Sequence, residues 1–132
     1  MFYRLEGKPG PLTLVVPSSP DLPAHLRDKR GHVALRWSPH PVVAELLRLG
    51  GVPLIGTSAN RSGGPSLYTE QEVLRAFAGA DMLVVAGGAL PGGPPSTVLD
   101  TTSAPMRVLR EGAIARAALR AALEPEFAAL AP

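Results

Sequence analysis

Pro53-Leu-Ile-Gly-Thr-Ser-Ala-Asn-Arg-Ser-Gly-Gly-Pro-Ser66 decides how this chain is read. The stretch opens on a short apolar run, which predicts a buried strand, and then breaks into a loop dominated by Gly, Ser, Thr, Asn and Pro. A strand that ends in small hydroxyl residues and glycines sets backbone N–H groups and hydroxyls at the mouth of a sheet, where an anion or nucleotide docks. The loop carries no acidic side chain that would repel such a ligand. A tight turn whose hydroxyls satisfy their own backbone is the competing explanation for Ser58 and Asn60.

Outward from this loop, strands and helices alternate. Leu12-Thr-Leu-Val-Val16 is rich in β-branched residues and stops at Pro17, so it predicts a strand. Ser18 to Arg30 is polar, with a short helical turn over Asp21–Asp28. His32-Val-Ala-Leu-Arg-Trp37 predicts a second strand, whose alternation aims Arg36 away from the face of Leu35 and Trp37. Pro41 opens a helix with Val42, Val43, Leu46, Leu47 and Leu49 on its apolar face, and Gly50-Gly51 ends it. Beyond the loop, Thr69-Glu-Gln-Glu72 is a capping box, followed by Val73, Leu74 and Phe77 at helical spacing. Asp81-Met-Leu-Val-Val-Ala86 predicts a buried strand. Ser96-Thr-Val-Leu-Asp100 and Met106-Arg-Val-Leu-Arg110 predict two more, and Ala113–Leu130 a helix at least as far as Pro125. The pattern gives an α/β (α+β) protein, and the last strands, with no helix between them, make the sheet mixed. We expect one domain over residues 1–132, a mixed twisted sheet with flanking helices.

Composition agrees with a folded domain: of 132 residues, 45% are hydrophobic and 18% charged, a balance that predicts a substantial core and argues against disorder. There is no cysteine, which excludes disulfides and thiolate metal sites. The first residues lack the apolar centre of a signal peptide, and no apolar run is long enough to span a bilayer, so the expected location is the cytoplasm. The close basic cluster, Arg27-Asp28-Lys29-Arg30, reads as a solvated turn that could also touch a phosphate backbone. His25, His32 and His40 lack a metal-binding spacing, and no protein-held metal is expected. Gly63-Gly-Pro-Ser66 lacks the lysine of a P-loop, and Gly56-Thr-Ser58 lacks the glycine that follows the serine of a nucleophile elbow.

Three more places in the chain invite chemistry. Arg36 stands in an apolar strand, where a guanidinium is costly unless it meets a carboxylate or phosphate; an acid on a neighbouring element is the ordinary partner. Ser96-Thr97 follows Pro91-Gly-Gly-Pro-Pro95 and repeats the small hydroxyls at a strand end. Arg110, before Glu111-Gly112, sets a second arginine at a strand end, where a surface salt bridge is the usual explanation.

Together these residues resemble the Sua5/YrdC/YciO family of threonylcarbamoyl-adenylate synthases. The resemblance rests on Pro9-Gly-Pro-Leu-Thr-Leu-Val15, on Arg36 with His40-Pro41, and on Thr57-Ser-Ala-Asn-Arg-Ser-Gly63 with Pro65-Ser66. Ser96-Thr-Val98 and Leu109-Arg110 with Gly112 complete it. No single piece is specific, but five in the right order are. The family's upstream Thr-acid-Thr-x-Tyr-Gly-Leu strand and Lys-x-Arg loop have no counterpart before Pro9, and Lys8 belongs to no such motif. The expectation is therefore a YrdC-like domain truncated at its N-terminus.

The resemblance implies an enzyme of the nucleotidyltransferase type that condenses L-threonine, bicarbonate and ATP into threonylcarbamoyl-AMP and pyrophosphate, for modification of tRNA at adenosine 37. It implies that Arg36, Gly56 and Ser96 hold threonine. Ser58, Ser66, Arg110 and His32 would bind ATP, and Asn60, Ser62 and Gly63 would shape the loop. ATP would enter as substrate with Mg2+. These hydroxyls and guanidiniums are expected to converge on one hollow. Without the upstream cations, catalysis would be impaired or partner-dependent, and exposed apolar surface would favour a homo-oligomer or a partner protein. The alternative is a non-catalytic module that binds tRNA or double-stranded RNA.

Overall fold

The strand β1 (Leu12–Pro17) organises the sheet: it pairs antiparallel with β2 (His32–Arg36) and parallel with β3 (Thr97–Asp100). A fourth strand, β4 (Arg107–Arg110), runs antiparallel to β3 and completes the order β2-β1-β3-β4. The mixed sheet expected from the sequence is present. The computed structural model describes residues 10–123; Lys8, Pro9 and the predicted helical tail beyond Leu123 lie outside them.

Register assigns the faces, because directly opposed residues in a ladder point the same way. Leu14 stands opposite Leu35 on one side and Leu99 on the other, and Leu99 stands opposite Val108. This is the apolar face. It is covered by α3 (Arg116–Leu123), whose Leu119 packs with Leu99 among Leu12, Leu14, Met106, Val108, Ile114 and Leu123. Burying Leu99 and Leu119 stabilises the fold by about 1.5–3 kcal/mol each. Among the described residues they are the buried hydrophobics, so the core is much smaller than the chain length predicts.

The chain forms two compact units. One joins the described residues up to Pro39 with those from Pro94 onward; the other is His40–Gly93. In the second, α1 (Pro41–Gly50) starts on Pro41 and ends where Gly51, at φ 64, donates its N–H to the Leu47 carbonyl. A residue with a Cβ is strained in that left-handed conformation, which is why the double glycine stops the helix. The helix α2 (Glu70–Ala76) has the predicted capping box: Thr69 Oγ1 accepts from the Glu72 N–H, and the Glu72 carboxylate accepts from the Thr69 N–H.

Two expectations fail in this unit. Residues 53–55 and 81–86 are not strands, and their apolar side chains are not buried: Ile55 is 77% and Leu83 89% exposed. Strand identity needs a ladder partner, and none of the described residues pairs with either run. The expected turn over Asp21–Asp28 shrinks to a 3-10 turn, Ala24–Leu26.

Candidate functional site

The second face of the sheet carries the polar residues. Arg36 stands opposite Thr13, Thr13 opposite Val98, and Val98 opposite Arg110, so one row crosses all the strands with a guanidinium at each end. An irregularity between Val98 and Leu99 sets Val98 against Arg110 and Leu99 against Val108, leaving Leu109 as the extra residue. Ser96 lies two residues before Val98 and shares its side of the chain.

Contacts bind part of this row together. Thr13 Oγ1 and Ser96 Oγ are 2.8 Å apart. Arg110 donates from Nε (3.2 Å) and Nη2 (2.9 Å) to the Ser96 carbonyl, and from Nη2 to Ser96 Oγ at 3.3 Å. Arg110 thus departs from the surface salt bridge that a strand-end arginine suggests: its partner is a neighbouring serine, reached because the bulge turns Arg110 toward the start of β3. Arg36 departs likewise. It is exposed, and among the described residues no carboxylate pairs with it, so its guanidinium keeps its donors for solvent or an anion.

Ser96 is 7% exposed and is held from behind. The fully buried Thr97 accepts the Gly112 and Ile114 amides, each at 3.0 Å, and Gly112 sits directly against the Pro95 and Ser96 backbone. His32 is tied to the preceding turn: its N–H donates to Asp28 Oδ1 at 2.9 Å, and its Nδ1 lies 3.6 Å from Asp28 Oδ2. That backbone donor, joined by Arg30, holds the Asp28 carboxyl below its ordinary range. Arg30 is absorbed in the same turn, 3.3 Å from Asp28 and 3.8 Å from Asp100.

The loop of the second unit is closed by its own side chains. Ser58 Oγ donates to Asn60 Oδ1 at 2.6 Å, and Asn60 Nδ2 donates to the carbonyls of Arg61 (2.9 Å) and Gly64 (3.1 Å). Gly63, at φ 78, makes the turn, and the Gly64 N–H returns to the Arg61 carbonyl at 2.8 Å. Arg61 anchors the loop to α2, donating to the Ala76 carbonyl at 2.8 Å and lying 5.5 Å from the Phe77 ring centre. Gly56, Ser58, Ser62 and Ser66 are exposed. A separate hollow of about 280 Å³ in this unit is lined mainly by apolar side chains, among them Val42, Val43, Leu46, Leu67 and Val73. None of the predicted phosphate-binding residues lines it, and its character does not suit a triphosphate.

Among the described residues, no group of His, Asp or Glu is arranged to hold a metal, and no helix is long and apolar enough to cross a membrane. What the first unit offers is a pair of guanidiniums and two coupled hydroxyls on one sheet face, a donor set for an anion such as a carboxylate or phosphate.

The profile of the Sua5/YciO/YrdC family, described as telomere recombination, matches residues 2–112. The chain belongs to the Sua5/YciO/YrdC family. It is 42% identical over 108 residues to a threonylcarbamoyl-AMP synthase of Vibrio cholerae, an alignment covering 82% of this chain and 56% of that protein. A Pyrococcus abyssi protein of the same name is 37% identical over 106 residues, 80% of this chain and 31% of the relative. The chain therefore spans about half the length of the first and about a third of the second. Among solved structures, P. abyssi Sua5 complexed with L-threonine superposes with a TM-score of 0.78 at 34% identity, covering 86% of this chain and 33% of that one. Escherichia coli YciO gives 0.71 at 28% identity, covering 82% and 53%. For a Sua5/YciO/YrdC member, the residue that sequence reasoning missed is Thr13. In the sequence it belongs to a predicted strand and to the family segment Pro9–Val15 with no site role, although the alternation of β1 against β2 carries the signal that it faces Arg36.

Proposed function

We propose that this chain carries out threonylcarbamoyl-AMP synthesis, forming threonylcarbamoyl-AMP and pyrophosphate from L-threonine, bicarbonate and ATP. The observation that carries this reading is the row Arg36–Thr13–Val98–Arg110 with Ser96 beside it, in a family with a solved relative complexed with L-threonine. Arg36 takes the threonine carboxylate through a two-pronged guanidinium pair, a charge-assisted bond contributing about 1.5–3 kcal/mol, with Ser96 and the Gly56 backbone as further contacts. Arg110, Ser58, Ser66 and His32 take the nucleotide, which arrives as its Mg2+ complex. Asn60, Ser62 and Gly63 keep the loop in shape. The protein's contribution is positioning and charge neutralisation at the α-phosphate as pyrophosphate leaves.

In this reading the product serves tRNA modification in the cytoplasm. The exposed Leu54, Ile55, Leu83 and Val85 favour a second copy or a partner protein on the His40–Gly93 unit, a proposal that light scattering tests. The RNA-binding alternative draws no support from Arg30, which is engaged by Asp28 and Asp100.

The deciding experiment incubates the chain with L-threonine, bicarbonate, ATP and Mg2+, and follows pyrophosphate and threonylcarbamoyl-AMP. Calorimetry with L-threonine and ATP runs beside it. Product that disappears in Arg36→Ala supports the reading. Neither product nor binding heat overturns it.

A further inference from the structure

The contact between Thr13 and Ser96 fixes the polarity of a hydroxyl. Ser96 Oγ has one proton to give and two lone pairs to fill. Arg110 can only donate, so its Nη2, 3.3 Å away, occupies one lone pair. Thr13 Oγ1, at 2.8 Å, is the other neighbour of that oxygen among the described residues. If Thr13 donates, both lone pairs are filled, and the Ser96 proton is left for a third group. If Ser96 donates instead, its proton is spent inside the protein and the hydroxyl offers a ligand only a lone pair, the wrong polarity for an anion.

We propose that Thr13 is a positioning residue that donates to Ser96 Oγ and thereby commits the Ser96 proton to an oxygen of bound L-threonine. This rests on the reading of Ser96 as a threonine contact and adds the residue that sets its direction. The place of Thr13 is itself fixed by the sheet, opposite Arg36 on β2 and Val98 on β3, so its hydroxyl is held on a rigid face rather than on a loop.

The test is calorimetric titration of L-threonine into the full chain with ATP present, for the unmodified protein, Thr13→Val, Thr13→Ser, Ser96→Ala and the Thr13→Val/Ser96→Ala pair. Thr13→Val keeps the shape but loses the donor, and is expected to bind about tenfold more weakly. Thr13→Ser restores binding to within about twofold. On the Ser96→Ala background, Thr13→Val has no further effect, a coupling that a merely structural role for Thr13 would not produce. If Thr13→Val does not fold, Thr13→Ala serves in the same cycle. Unchanged affinity in the Thr13 variant, or a loss that persists without Ser96, overturns the inference while leaving the function intact. Failure of the unmodified chain to bind L-threonine overturns the functional reading, and this inference with it.

Discussion

The Gly112 amide donates to the Thr97 hydroxyl at 3.0 Å, joining the turn after β4 to the first residue of β3. The same oxygen accepts the Ile114 amide at 3.0 Å and donates to the Ile114 carbonyl at 2.6 Å. One fully buried side chain thus satisfies three backbone groups beside Ser96. Thr97→Val preserves volume and strands all three, with an expected loss of about 3 kcal/mol, whereas Thr97→Ser keeps the hydroxyl and loses about 1 kcal/mol. Urea unfolding reads both as midpoint shifts at constant slope. Equal midpoints for the two variants would show that the hydroxyl is not what matters.

Gly112 has no room for a side chain. A Cβ there would lie 2.7 Å from the Ser96 carbonyl carbon and 2.8 Å from its oxygen, and would also press on the Pro95 carbonyl. All three atoms are backbone, so the strain cannot be relieved by a rotamer change. Gly112→Ala is expected to cost about 3 kcal/mol and to push Ser96 away from Thr13, weakening the proposed L-threonine binding. A thermal midpoint within about 2 °C of the unmodified chain would contradict this.

Local signals were legible where the sequence alone supplies the physics. The Thr69–Glu72 capping box and the Gly50-Gly51 stop of α1 depend on neighbouring residues, and both are found as read. The alternation that turns Arg36 away from Leu35 is likewise intrinsic to a strand. Apolar composition misleads at 53–55 and 81–86 because it describes what a segment can bury, while burial needs a partner that composition does not name. The candidate site divides the same way. Arg36, Ser96 and Arg110 stood out as polar residues in or beside strands, but the pairing of Arg110 with Ser96 depends on the bulge, and the contact of Thr13 with Ser96 spans 83 residues of sequence.

Stability is expected to fall in acid, and Asp100 is one reason in the sheet unit. It is fully buried, and the hydroxyl and amide of Thr102, donating to Oδ1 at 2.6 and 2.9 Å, hold its carboxyl below the ordinary value of 3.8. The unfolded chain then binds the proton first, so unfolding free energy rises with pH through this range. The contribution of Asp100 is present above pH 3.8 and is lost as pH falls through its lower folded value. Asp28 and Glu72, also lowered, act in the same direction. Thermal midpoints across acid pH should therefore drop, and Asp100→Asn should flatten part of the drop. A profile that Asp100→Asn leaves just as steep would remove Asp100 from the explanation.

Arg110 separates geometry from charge. Its guanidinium spans two acceptors of one residue, the Ser96 carbonyl through Nε and Nη2 and the Ser96 hydroxyl through Nη2. A lysine ammonium keeps the charge but is a single point on a flexible stem, and cannot reproduce a planar fork. Arg110 is exposed, so Arg110→Lys should change stability by less than about 1 kcal/mol. The proposed nucleotide contact is more demanding, because the fork that grips Ser96 also fixes where the remaining donors point. ATP affinity is expected to fall about tenfold in Arg110→Lys, and further in Arg110→Ala, with both variants melting near the unmodified chain. If calorimetry gives all three the same ATP affinity, Arg110 serves the sheet alone, as the strap that holds Ser96 in place.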